Sequence, residues 1–211
     1  MILIGQFDSP FVRRVGIALE IYGIAYEHKP WSTFGDADKI AAYNPLLRVP
    51  TLVLDGGEAL VETLAILDTL DEMAGPERML IPASGPARRK ILQVAARAGG
   101  VSDKAVSLYY SMNFHERAAP DYLARVRSQI SATFDWLDRD RAAPAREWWV
   151  DGRMTHADIA VAATLRHFRD AMGEGWDFSR WPALQEHSAQ CEALPVFQKI
   201  SQPFVFTPAK G

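Results

Sequence analysis

The chain has 211 residues, of which 48% are hydrophobic and 23% charged, a composition typical of a globular protein with a substantial core. Its formal net charge of −3 argues against nucleic acid or an anionic membrane surface as the main partner. The single cysteine, Cys191, excludes an intrachain disulfide framework and a cysteine-rich metal site. The amino terminus lacks the basic segment of a secretory signal, and no apolar run is long enough to span a membrane, so we expect a cytoplasmic protein with no membrane partner and no metal.

The first 76 residues alternate short strand-like runs with helical patterns. In chain order they predict a strand at 2–4, a helix at 11–22, a strand at 25–29, a short helix at 37–43, two hairpin strands at 51–54 and 59–61, and a helix at 62–73. A helical crossover makes the first two strands parallel, and an Asp-Gly turn indicates the antiparallel hairpin. The order β-α-β-α-β-β-α predicts a mixed sheet covered by helices.

After this region the strand signals become scarce. Three prolines between residues 75 and 86 predict a linker, and the remaining periodicity is helical. Helices are predicted at 86–116, 121–140, 155–172, 182–192 and 195–201. The sequence therefore predicts an α/β domain at 1–76, a linker at 77–86 and an all-helical domain at 87–211.

The stretch Asp8-Ser9-Pro10-Phe11 lies where the first strand passes into the first helix. Ser9 stands at the N-cap position, and Pro10 stands at the first helical position, where its missing N–H costs nothing. The Ser9 hydroxyl can cap the helix, or it can face an anionic ligand at the helix N-terminus. This pattern alone leaves both interpretations open.

A second helix start carries Thr155-x-x-Asp158, which indicates a capping box with Asp in place of Glu or Gln. Met154 can pack on Ile159 as a hydrophobic staple. We interpret this motif as a folding device without a catalytic role. His156 is predicted to be structural or exposed, and Cys191 to be a bystander in a late helix.

Four motifs, taken in order, resemble the cytosolic glutathione transferases, and the resemblance covers nearly the whole chain. The Ser-Pro-Phe-Val-Arg form most resembles the serine-type enzymes, including plant tau enzymes and their bacterial relatives. The resemblance implies a thioredoxin-like domain followed by an all-helical domain. The motifs are Ser9-Pro10-Phe11-Val12-Arg13-Arg14-Val15, Asn44-Pro45-Leu46-Leu47-Arg48-Val49-Pro50-Thr51-Leu52, Glu62-Thr63-Leu64-Ala65-Ile66 and Thr155-His156-Ala157-Asp158-Ile159-Ala160.

The resemblance implies that glutathione is bound in the first domain, as a substrate. The Val49-Pro50 bond is expected to be cis, so that Val49 presents its backbone N–H and C=O to the peptide. Glu62 and Thr63 are expected to bind the amino and carboxylate groups of the γ-glutamyl end. The expected glutathione-binding residues are Phe11, Arg48, Val49, Pro50, Glu62 and Thr63.

Two of these expectations carry alternatives. Arg48 stands where a basic residue often contacts the glycine carboxylate, but a solvated surface arginine is the competing interpretation. Thr63 replaces the more usual serine and keeps the hydroxyl, whereas Leu47 replaces a small or polar residue and makes the loop shape uncertain.

The resemblance also implies a mechanism in which Ser9 is the catalytic residue. Its hydroxyl would donate a hydrogen bond to the glutathione sulfur, and the helix N-terminus and Arg13 would add positive potential. Serine in place of cysteine favours addition of glutathione to a small hydrophobic electrophile, or peroxide reduction, over disulfide exchange.

The second substrate is expected between the domains, against Phe11, Tyr109, Tyr110 and Phe114, with Phe204 helping to close the pocket. Core packing is the alternative for each aromatic. The resemblance also implies a homodimer with the helix at 86–116 facing the partner. Two other functions stay open: a non-catalytic binding or scaffold protein with this fold, and a lyase or isomerase that uses glutathione as a cofactor.

Overall fold

Contacts divide the protein into two units in a computed structural model, which describes residues 1–114, 119–142, 146–150, 152–173 and 175–205. Unit 1 combines Met1–Ala83 with the segment from Leu194 onward, and unit 2 is Ser84–Ala193. Within the described ranges, none of the helices has the length and apolarity that crossing a bilayer requires.

Unit 1 is built on a four-stranded mixed sheet with the strand order β2-β1-β3-β4. β1 pairs in parallel with β2 and antiparallel with β3, which forms the hairpin with β4. The predicted α/β class is confirmed. The elements are β1 (Ile2–Ile4), α1 (Pro10–Tyr22), β2 (Glu27–Lys29), α2 (Ala37–Ala41), β3 (Thr51–Val53), β4 (Ala59–Val61), α3 (Thr63–Ala74) and α8 (Pro195–Lys199).

Helix α1 has clear start and stop signals. Ser9 is the N-cap in an extended conformation, and Pro10 is the first helical residue. The helix ends at Gly23, whose φ of 66° suits glycine. The Gly23 N–H donates to Glu20 O at 3.1 Å, and the Ile24 N–H donates to Leu19 O at 3.0 Å, which satisfies carbonyls of the last turn.

The segment predicted as a linker packs instead on unit 1. The Leu80 N–H donates to Tyr22 Oη and to Asp71 Oδ1, each at 2.9 Å, and the Tyr22 hydroxyl donates to the same carboxylate. Leu80 and Ile81 are buried. Unit 1 consequently extends to Ala83, beyond the predicted boundary at residue 76.

The C-terminal segment also differs from the prediction, which placed all of 87–211 in the helical domain. Helix α8 packs on α1 of unit 1. Arg13 explains this packing, because its Nε donates to Ile200 O at 2.8 Å and its Nη2 donates to Phe197 O at 3.0 Å. A helical periodicity shows that a short helix forms, but it does not show which unit the helix covers.

Unit 2 is helical, as predicted. Helix α6 is its centre, with most residues buried and with α4 and α7 packed against it. Thr164 of α6 contacts Ser102 of α4 through their hydroxyl oxygens, 2.9 Å apart. The elements are α4 (Gly85–Asn113), α5 (Pro120–Ala142), α6 (His156–Met172), a 3-10 turn (Phe178–Arg180) and α7 (Pro182–Glu192).

Candidate functional site

The candidate site of unit 1 is organised around Gly5, directly after β1. Gly5 has a φ of +126°, and a Cβ on it would lie 2.5 Å from Val12 Cγ2 and 2.8 Å from Val49 Cβ. Only glycine permits this approach. The first turn of α1 and the Val49-Pro50 segment therefore meet at one end of the sheet.

The Ser9 hydroxyl acts as a weak helix cap. Its Oγ accepts a hydrogen bond from the Val12 N–H at 3.4 Å, near the upper limit for such a bond. A hydroxyl offers one donor and two acceptor lone pairs, so capping uses an acceptor and leaves the proton. Within the described part of the chain, the Ser9 O–H donates to no other group. Capping and donation to a ligand are therefore compatible.

The Val49-Pro50 peptide bond is cis, as the resemblance implied. The Val49 side chain packs against a cluster of Ile4, Ile40 and Val53. Among the described residues, neither the N–H nor the C=O of Val49 forms a hydrogen bond. Because partly buried backbone groups normally find partners, this pair can accept an extended ligand backbone.

The hairpin leads from β4 into α3 through Glu62, which has an unusual backbone. Its φ of 69° is rare for a residue other than glycine, and its side chain does not cap α3. Thr63 is the first residue of α3 and is buried, whereas about half of the Glu62 side chain is exposed at 55%. The start of α3 therefore presents helix N–H groups beside an exposed carboxylate.

Arg48 and Glu62 form an ion pair, with Arg48 Nη1 3.1 Å from Glu62 Oε1. The family resemblance implied that these residues contact opposite ends of one peptide, so it did not predict their pairing. The loop that carries Arg48 into β3 is held by the Asn44 side chain. Its Nδ2 donates to Arg48 O at 3.0 Å and to Thr51 Oγ1 at 3.2 Å.

The segment before Ser9 contacts the C-terminal segment of unit 1. The sequence did not predict this contact. The Phe7 N–H donates to Gln202 Oε1 at 3.2 Å, and the Val205 N–H donates to Asp8 Oδ2 at 3.0 Å. Phe204, between these two contacts, was predicted to help close a pocket and is half-buried here. The available sequence signal for this contact was an aromatic residue in a short C-terminal segment.

His28 of β2 is a second residue that the sequence did not single out. Its Nε2 donates to Gly5 O at 2.8 Å, and its ring stacks on Phe7 with centroids 3.9 Å apart. These contacts attach the segment between β1 and α1 to β2. A lone histidine in a short exposed strand carries no sequence signal for this role.

The predicted pocket aromatics belong to different units. Phe11 is half-buried on α1 of unit 1, and the other three lie at the end of α4 in unit 2. Tyr110 packs edge-on against Tyr109 and Phe114, with centroid distances of 6.4 and 5.5 Å. Burial, helped by the neighbouring Tyr110, raises the pKa of Tyr109.

A buried polar cluster lies in unit 2, where His187 contacts three partners. Arg141 Nε donates to His187 Nδ1 at 3.1 Å, while His187 Nε2 lies 3.7 Å from both Asp158 Oδ1 and Cys191 Sγ. Burial, together with the charge of Arg141, lowers the pKa of His187 to about 4. Because Nδ1 accepts from Arg141, the neutral imidazole carries its proton on Nε2, the nitrogen that faces Asp158 and Cys191.

The capping box of α6 is confirmed. Thr155 Oγ1 accepts from the Ala157 N–H at 3.3 Å, and Asp158 Oδ2 accepts from the Thr155 N–H at 2.8 Å. Burial raises the pKa of Asp158, against the lowering effect of its hydrogen bonds. His156 is buried, in agreement with the structural alternative predicted for it.

No group of three or more His, Cys, Asp or Glu side chains that could hold a metal ion occurs in the part of the chain that the structure describes.

Two family models match the chain, one in each unit. The model described as the glutathione S-transferase N-terminal domain matches residues 3–78, and the one described as the glutathione S-transferase C-terminal domain matches residues 120–190. The first match contains every predicted glutathione-binding residue, and the second contains the capping box.

Full-length relatives and solved structures resemble this chain. A probable maleylacetoacetate isomerase of Vibrio cholerae is 29% identical over 210 residues, 95% of each protein. A glutathione S-transferase of Triticum aestivum is 27% identical over 93% of this chain and 91% of its own. A crystal structure of a glutathione S-transferase from Methylobacterium radiotolerans, in complex with glutathione sulfonate, has a TM-score of 0.89 and 27% identity, and covers 100% of this chain and 98% of its own.

Proposed function

The chain belongs to the glutathione S-transferase family, and on that premise we propose that it binds glutathione in unit 1 and stabilises its thiolate through Ser9. The thiolate then adds to a small hydrophobic electrophile, or it attacks a peroxide oxygen, which releases the alcohol and leaves a sulfenate that a second glutathione converts to the disulfide and water. The observation that carries this proposal is the Ser9 hydroxyl, which caps α1 with a lone pair and keeps its proton for a ligand.

The chemistry requires a lower thiol pKa. A free thiol with a pKa of about 8.5 is only a few per cent ionised at neutral pH, and the thiolate is the nucleophile. A hydrogen bond to a charged group contributes about 1.5–3 kcal/mol. Donation by Ser9 to the sulfur therefore lowers the pKa of the bound thiol by about 1–2 units.

Three further features support a peptide site. The backbone groups of Val49 can pair with the cysteinyl residue of glutathione as an added strand. The N-terminus of α3, with Thr63, suits the γ-glutamyl carboxylate, and the Glu62 carboxylate suits the ammonium group. The Methylobacterium radiotolerans structure, which binds a glutathione derivative, supports the same ligand class for this chain.

The second substrate is proposed to contact Phe11 together with Tyr109, Tyr110 and Phe114, because aromatic walls suit a small apolar electrophile. A homodimer is proposed as well. Its support is the family to which the chain belongs, whose members are commonly dimeric. Light scattering on the purified protein tests the dimer.

The direct test measures glutathione consumption against a panel of electrophiles and peroxides, with Ser9→Ala in parallel. Ser9→Ala is expected to lower the rate at neutral pH by about 10–100-fold and to raise the pKa of the bound thiol by about 1–2 units, read from thiolate absorbance. No glutathione binding by the wild-type protein at millimolar concentration would falsify the proposal. Binding without turnover supports the scaffold alternative, and unchanged activity in Ser9→Ala removes the role of Ser9 alone.

An isomerase is the second candidate, favoured by two full-length relatives. The Vibrio cholerae protein and a maleylacetoacetate isomerase of Pseudomonas aeruginosa, 25% identical over 94% of this chain, both have that activity in their names. An isomerase returns glutathione unchanged. Product formation that requires glutathione but does not consume it selects this function over conjugation.

A further inference from the structure

The two charged side chains at the candidate glutathione site pair with each other. Arg48 Nη1 lies 3.1 Å from Glu62 Oε1, and 53% of the Arg48 side chain and 55% of the Glu62 side chain are exposed. Exposed ion pairs of this kind contribute little to folding stability. The pair therefore calls for an explanation other than stability.

Buried side chains hold the backbone of Arg48 in place. The Arg48 carbonyl accepts from Asn44 Nδ2 at 3.0 Å and from Thr51 Oγ1 at 3.2 Å, and both donors belong to buried residues. Thr51 pairs across the hairpin with Val61, the residue before Glu62. The sheet register thus brings Arg48 and Glu62 to the same end of β3 and β4.

The backbone on both sides of the pair is unusual. Leu47, directly before Arg48, has a φ of 54°, and Glu62 has a φ of 69°. Such conformations are unfavourable for residues with a Cβ and occur most often where a side chain must be aimed. The chain therefore keeps two strained residues where it presents this ion pair.

The pair matches the charges of an α-amino acid. The γ-glutamyl end of glutathione carries an ammonium and a carboxylate on one carbon. Glu62 attracts the ammonium, and the N-terminus of α3 attracts the carboxylate. Arg48 restricts the rotation of Glu62, which reduces the entropy lost when the Glu62 carboxylate meets the ammonium.

The position of Arg48 beside Glu62 argues against the role that family resemblance implied, which is contact with the glycine carboxylate. The proposed strand-like pairing with Val49 requires an extended glutathione, whose glycine carboxylate lies up to about 10 Å from its glutamyl ammonium. A guanidinium in contact with the Glu62 carboxylate is at the glutamyl end of the ligand.

On the basis of the proposed glutathione site, we propose that Arg48 is a positioning residue for the γ-glutamyl end of glutathione. It holds the Glu62 carboxylate in place for the ligand ammonium and thereby selects ligands that carry a free α-amino acid group. It does not serve the glycine carboxylate.

The test is a binding cycle by calorimetry with the full chain, using Arg48→Ala and three ligands. These are glutathione, its glycyl ethyl ester, and a deamino analogue without the α-amino group. Arg48→Ala is expected to weaken glutathione and the ester by the same factor, about 5–10-fold, and the deamino analogue by less than about twofold. Arg48→Lys is expected to recover part of the loss, because it keeps the charge.

Lys199→Ala is the matched control. Lys199 also forms an exposed ion pair in unit 1, with Glu20 at 2.7 Å, near the opposite end of α1 from Ser9. Its removal deletes the same charge and is expected to leave all three affinities unchanged.

Two results overturn the role of Arg48. If Arg48→Ala weakens the binding of glutathione and of the deamino analogue but not of the glycyl ester, Arg48 contacts the glycine carboxylate. An equal loss for all three ligands makes Arg48 a structural residue of its loop. Wild-type protein that binds no glutathione is a separate outcome, since it rejects the proposed function itself.

Discussion

The N-termini of α6 and α3 each carry an acidic residue, and the two residues are used in opposite ways. At α6, Asp158 is fully buried and accepts hydrogen bonds from the Trp149 N–H at 2.7 Å and from the Thr155 N–H and Oγ1 at 2.8 Å each. At α3, Glu62 does not cap its own helix, and its carboxylate is half exposed beside Arg48.

The comparison separates stability from binding. A buried carboxylate whose oxygens are saturated by donors holds the fold together and has no capacity for a ligand. An exposed carboxylate on a strained backbone contributes little to stability but can meet a ligand charge. Removing an acidic residue at a helix N-terminus therefore gives different phenotypes, depending on whether its oxygens are saturated by donors or exposed.

The largest expected effect belongs to Asp158→Ala. The change leaves two buried backbone donors, the Trp149 and Thr155 N–H groups, without their acceptor. We expect the free energy of unfolding to fall by about 3–5 kcal/mol, measured by urea denaturation. Glu62→Ala is the matched control and is expected to lose less than about 1 kcal/mol. Similar losses in both variants would contradict the comparison.

The buried cluster also predicts a pH dependence of stability. The pKa of His187 is lowered to about 4, whereas the unfolded chain has a histidine pKa of about 6.5. Above pH of about 6.5 the imidazole is neutral in both states, so its contribution is complete. As the pH falls toward about 4, the unfolded state binds a proton that the native state excludes, and stability falls by up to about 3 kcal/mol.

Unfolding free energies at about pH 7.5 and about pH 5.5 measure this slope. His187→Gln is expected to flatten it, whatever the absolute stability of the variant. The raised pKa of Asp158 changes the stability in the opposite direction at lower pH. The diagnostic quantity is therefore the difference in slope between the wild-type protein and His187→Gln. An unchanged slope would remove His187 as its source.

A smaller effect is expected for Glu62→Gln, which keeps the shape of the side chain and removes its charge. Glutathione affinity should fall by about tenfold, because an ammonium hydrogen bond to a carboxylate becomes one to a neutral amide. Stability should change by less than about 0.5 kcal/mol. Calorimetric titration and urea denaturation on one preparation give both values, and unaltered affinity would exclude Glu62 from the ligand site.

The smallest expected effect is a gain. Glu62→Gly removes the unfavourable φ of 69° and should raise the unfolding free energy by about 0.5–1 kcal/mol, after allowance for the greater freedom of glycine in the unfolded chain. Glutathione affinity should fall in the same variant. A loss of stability would show that the Glu62 backbone is not strained.

Local signals predicted much of the fold. Ser9-Pro10 marked the start of α1, the Asp-Gly turn marked the hairpin, and Thr155-x-x-Asp158 marked the start of α6. Each depends on residues within a few positions of one another, so the sequence records it directly. The cis Val49-Pro50 bond came from family resemblance.

Long-range packing accounts for what was not predicted. The pairing of Arg48 with Glu62 depends on the register of β3 against β4, and the attachment of the tail depends on contacts between chain ends. His28 reaches Gly5 only because β2 lies beside β1. No local sequence pattern records these long-range contacts. The strained φ of Glu62 was not predicted either, because glutamate does not indicate a positive φ.

The discontinuity of unit 1 has a consequence for biosynthesis. The segment before Ser9 is held by Gln202 and Val205, and α1 is held by α8 through Arg13. A ribosome therefore makes the sheet and α1 first, then all of unit 2, before the chain that completes the Ser9 region has been synthesised. The protein can acquire its folded helical unit during translation, but its candidate site is assembled only after the segment from Leu194 onward has been synthesised.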